Sequence, residues 1–101
     1  MAESVDLQSL LASLAHAAPP PFTNPALLGI WHALRGEWER AHDAVQPDTT
    51  DCAWVHAVLH REEEDLPNAS YWYQQAHRPV IAGPVREEYL AIARELLKAP
   101  R

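Results

Sequence analysis

A chain of 101 residues, 48% of them hydrophobic and four of them tryptophan, has the apolar content to bury a core, which excludes a disordered segment. Fourteen acidic against eight basic residues leave a net charge of −6, and the basic side chains are scattered singly, so nucleic acid and an anionic membrane are disfavoured partners. No run approaches the roughly 20 apolar residues of a membrane span, Glu3 and Asp6 stand where a secretory signal carries positive charge, and the single Cys52 has no internal disulfide partner; a cytoplasmic setting is expected.

Taken in chain order, residues 4–18 place Val5, Leu7, Leu10, Leu11, Leu14 and Ala18 at spacings of three and four, with Ser4 as N-cap, which predicts an amphipathic helix. Pro19-Pro20-Pro21 ends it in a stiff linker over 19–24, so this helix is expected to pack at a distance, on a partner chain, or as a tethered arm. Asn24-Pro25 is a helix start and Gly36 a stop, predicting a helix over about 25–35. Trp38, Ala41 and Val45 continue at helical spacing to Pro47, giving a first helical hairpin. Residues 51–64, capped by Thr50 or Asp51, carry Trp54, Val55, Val58 and Leu59 on one broad stripe. Asp65 and Pro67 restart the chain, and Ala69, Trp72, Tyr73 and Ala76 recur up to Pro79, completing a second hairpin. A last helix over about 84–99 has Glu87 and Glu88 early and Lys98 late, which suits the helix dipole. The expected fold is a single all-α domain over 1–101, about six short helices in antiparallel hairpins.

Overlaying the hairpins at an offset of 28 residues pairs Gly29 with Ala57, His32 with His60, Gly36 with Glu64, Trp38 with Leu66, Ala41 with Ala69, and Val45 with Tyr73. Small residues recur where helices cross, and the turns Gly36-Glu37-Trp38 and Glu64-Asp65-Leu66 correspond. Over residues 25–79 this resembles the tetratricopeptide repeat, which implies stacked helical hairpins that bind a peptide or protein. It departs from that family in its offset of 28 rather than 34, its two copies, and His56 where the family places leucine. The run from Ala53 to Pro79 is also similar to a small group of uncharacterised bacterial proteins, which implies no particular activity.

On a helical wheel Cys52, His56, His60 and Glu63 fall within roughly an 80° arc of the fourth helix. Two histidines at i and i+4 can share a metal ion, Glu63 can serve as ligand or base, and His32 on the neighbouring hairpin can supply a third imidazole, so these four are the candidate ligands of a Zn²⁺ site. The competing reading buries His56 and His60 as neutral, hydrogen-bonded residues between helices, and the Glu that follows the first His in the usual zinc helix is replaced by Ala57. Cys52 in a first helical turn has a dipole-lowered thiol pKa in principle, but with only three glycines and no oxyanion loop it is expected to be a small buried residue. The run Glu62 to Asp65 is expected to be a solvated helix end. Tyr71, beside Gln74 and Gln75, points away from Trp72 and Tyr73 and is the candidate partner contact.

The leading expectation is therefore a non-enzymatic module of helical hairpins that binds a protein partner or a second copy of itself. The alternative is a small metal-binding or ligand-binding protein centred on His56, His60 and Glu63. No catalytic residue is singled out and no cofactor is expected beyond the candidate zinc.

Overall fold

The computed structural model describes residues 6–98, over which the chain forms six helices: α1 Leu7–Ser13, α2 Pro25–Leu34, α3 Trp38–Ala44, α4 Thr50–Glu62, α5 Leu66–Ala76 and α6 Val85–Lys98. The all-α expectation holds. Each start has a local cause. Asp6 accepts from the Ser9 amide at 2.8 Å, Asn24 from Ala26 at 2.9 Å and Thr49 from Cys52 at 3.0 Å, satisfying amides that have no partner within their helix. Pro25 follows Asn24 at a position where a missing N–H costs nothing. The cap of α4 is thus Thr49, one residue before those expected. The Ser4 cap and Val5 anticipated for α1 lie outside the described residues, as does residue 99 at the end of α6.

The helix ends repeat one device. Gly36 with φ +79°, Glu64 with φ 61° and His77 with φ 59° each turn the chain left-handed after α2, α4 and α5. In each case the following amide reaches back to close the last turn: Glu37 to the His32 carbonyl at 2.9 Å, Asp65 to His60 at 2.9 Å, Arg78 to Tyr73 at 3.0 Å. The first two turns are 28 residues apart, the offset found in the sequence. They fold α2 against α3 and α4 against α5.

One apolar core runs through the molecule with α4 at its centre, in contact with α2, α3, α5 and α6. Every residue from Cys52 to His60 is buried, so α4 has no solvent face over these two and a half turns. That is why a single apolar stripe understated it: the histidine side of the helix is covered too. Small residues sit where α3 packs on α2 and α5 on α4, Ala41 fully buried and Ala69 nearly so, and Gly29 of α2 faces Val45 so closely that a Cβ there would collide with its Cγ1.

The first helix departs from expectation. The first helix ends at Ser13 rather than 18 and packs on its own chain, not in trans: Leu10 is fully buried, the Trp31 indole donates to Ser13 Oγ at 2.9 Å, and Arg35 Nη1 binds the carbonyls of Leu14 and His16 at 2.7 and 2.6 Å. The reversal falls in residues 14–18, ahead of the three prolines, so their stiffness does not oppose it. The run Glu62 to Asp65 is exposed throughout, as expected of a solvated end, and two of its residues also make specific bonds. Glu62 accepts from the Tyr89 hydroxyl at 2.8 Å and Asp65 caps α5, while Arg61 pairs with Glu88 of α6 at 2.9 Å. Glu88 is buried and takes the Tyr73 hydroxyl at 2.6 Å as well, which ties α6 to α4 and α5.

Candidate metal centre

Three imidazoles meet where α3 crosses α4. His56 and His60, one turn apart on α4, stack with centroids 5.1 Å apart, and His42 of α3 stands edge-on to both, at 4.5 and 5.5 Å. One ring nitrogen from each lies within 4.8 Å of the others. Two indoles brace the group from either side: Trp38 stacks on His42 at 4.9 Å, four residues earlier on the same helix, and Trp72 of α5 stacks on His56 at 4.0 Å. Trp38 is itself fixed by donating to the Leu59 carbonyl at 2.9 Å.

His42 and His56 face each other through their Nε2 atoms at 2.9 Å, a hydrogen bond in which one ring donates and the other accepts. Two imidazole nitrogens sharing one proton are also two lone pairs that a metal ion can share once that proton leaves. A tetrahedral ion with bonds of about 2.0–2.1 Å holds its ligand atoms roughly 3.3 Å apart, so accepting one opens this pair by about 0.4 Å. His60 Nδ1 is buried without a hydrogen bond, the Glu63 carboxylate being 3.6 Å away. An unpaired buried nitrogen costs about 1–3 kcal/mol.

Burial, with the like charges of His42 and His60, pushes the His56 pKa down to about 4. Burial and His42 also lower His60, against the opposing pull of Glu63 and Asp65. Both rings of α4 are therefore neutral at pH 7, the form that binds metal.

The structure keeps part of the anticipated ligand set. His56 and His60 come together as expected. His32 does not join them: its Nδ1 is 2.7 Å from Glu37, which Arg35 also holds, in a pair at the end of α2. The repeat register aligned His32 with His60 as equivalent positions, and equivalence does not bring two residues into contact. Glu63 does not enter the group either, its carboxylate reaching only toward His60 Nδ1. The third imidazole is His42, which the sequence analysis missed. Its signal was position: α3 precedes α4 directly, and His42 follows Ala41 on the buried side, one turn after Trp38. Cys52 is fully buried and burial pushes its thiol pKa up, against a nucleophilic role. Tyr71 is 52% exposed beside exposed Gln74 and Gln75, as expected.

No protein-family model, curated protein or solved structure matches this chain. Among the described residues no helix is long and apolar enough to cross a membrane.

Proposed function

We propose that this chain is a metal-binding protein whose site is His42, His56 and His60, taking one first-row divalent ion such as Zn²⁺. The observation that carries the reading is the convergence of three imidazoles from two helices, with ring nitrogens within 4.8 Å of one another, between two indoles that fix the rings. Imidazole suits Zn²⁺, Cu²⁺, Ni²⁺ and Co²⁺, and three such ligands exclude hard cations that demand oxygen. The ion would join the α2–α3 pair to the α4–α5 pair, since His42 belongs to one and His56 and His60 to the other.

Because the folded chain presents the ligands together and the unfolded chain does not, binding stabilises it. At a hundredfold excess over the dissociation constant the gain is about 2.7 kcal/mol, a rise in melting temperature on the order of 10 °C for a domain of this size. Tag-free protein melted with chelator and then with Zn²⁺ should show that rise, and a variant with all three histidines changed to Gln should not. Equal melting with and without Zn²⁺ would defeat the proposal.

A second reading, a docking module for a protein partner, is favoured by the α5 surface, where Leu66 and Tyr71 are 58% and 52% exposed. The turn that recurs at an offset of 28 residues supports the helical-repeat resemblance from which that reading comes. Light scattering on wild-type and Tyr71→Ser protein tests its self-associating form: a micromolar dimer lost in the variant supports it, and a monomer in both counts against it.

A further inference from the structure

We infer that an ion held by His42, His56 and His60 keeps an open coordination position that takes a small monoanion from solution, hydroxide at neutral pH or azide in its place. This rests on the metal reading above and adds the ligand class of that site.

Three observations lead to it. Among the described residues, no cysteine, aspartate or glutamate offers an atom to the group of three, whereas a first-row divalent ion takes at least four ligands. The two other candidate ligands on the histidine arc of α4 are otherwise placed. Cys52, a turn before His56, is fully buried with its thiol pKa raised, and the Glu63 carboxylate stands 3.6 Å from His60 Nδ1, outside the group of three.

Charge gives the second argument. Three neutral imidazoles leave both positive charges of the ion uncompensated beside rings that are 5% and 8% exposed, a setting in which an anionic ligand is strongly favoured over a neutral one. Access gives the third. His42 is only partly buried, its Nδ1 3.5 Å from the exposed Gln46 amide, so solvent reaches the cluster along that ring, while Trp38 stacked on His42 and Trp72 stacked on His56 cover its flanks and restrict the occupant to a small ion.

The test uses tag-free protein loaded with Co²⁺, whose visible bands report coordination, titrated with sodium azide. The bands should shift saturably with one azide per cobalt while far-ultraviolet circular dichroism stays constant. Cys52→Ala and Glu63→Gln proteins should bind cobalt with the same band envelope and answer azide in the same way. Bands indifferent to azide in the wild type would overturn the inference and leave the metal reading standing. So would bands that answer azide only once Cys52 or Glu63 has been replaced, because a protein ligand then fills the position. Folded protein that shows no cobalt bands at all would overturn both.

Discussion

Lowering the pH of the metal-free protein from 7 to 4 should remove about 3 kcal/mol of stability through His56. In the unfolded chain this residue titrates near 6.5, and in the folded one burial and the facing His42 and His60 hold it near 4. Between those values the unfolded state binds the extra proton, so stability is full above pH 6.5 and is lost progressively down to about 4. Two and a half pH units at about 1.4 kcal/mol each set a ceiling of about 3.5 kcal/mol, and partial protonation of the folded state near pH 4 brings the loss to about 3 kcal/mol, a large part of the 5–15 kcal/mol typical of a small domain. His60 shifts in the same direction, with Glu63 and Asp65 working against it. Glu37, held near 2 by Arg35 and His32, loses its stabilising charge mainly below this window and does so equally in a His56 variant. Urea midpoints of wild-type and His56→Gln protein at pH 7, 5.5 and 4 isolate the term as a difference between slopes. Parallel slopes, or a wild type that gains stability on acidification, would refute the argument.

Overpacking at the helix crossings should be costly: Ala41→Leu, Ala69→Leu and Gly29→Ala are each expected to lose about 1–3 kcal/mol in denaturant melts, because Ala41 and Ala69 are buried and a Cβ at residue 29 meets Val45. Glu64→Gly should instead gain about 1 kcal/mol, since the left-handed φ of 61° strains a side-chain-bearing residue and glycine adopts it freely; thermal melts at neutral pH show the sign. Arg61→Met is expected to cost about 3–5 kcal/mol by leaving the Glu88 carboxylate buried without its cation, and Arg61→Met with Glu88→Gln should recover part of the loss in a double-mutant cycle.

The helices were legible in the sequence because their ends are written in single residues: Asn24-Pro25, Gly36, Asp65 and the acidic start of α6 act locally. The turn after α4 was readable only through the repeat, since Glu64 adopts a conformation that glycine usually announces. What the sequence hid was how many neighbours each helix has. The wheel of α4 showed an apolar stripe and a histidine arc, but four helices surround it, and only their packing reveals that the arc faces α3 and α5. For the same reason two of three imidazoles were legible from an i, i+4 spacing, while His42 is separated from His56 by 14 residues and carries no pattern of its own. The course of α1 was misjudged because a stiff tripeptide was read as governing its direction, whereas the contacts that hold it, Ser13 to Trp31 and Arg35 to two carbonyls, are long-range.

Calorimetric titration of the tag-free chain with Zn²⁺ at pH 7 tests the metal centre most directly, alongside His42→Gln, His56→Gln and His32→Gln proteins. A single ion per chain, lost in the first two variants and retained in the third, is the predicted result. Absence of saturable binding in the wild type, or binding that survives both His42→Gln and His56→Gln, would contradict it.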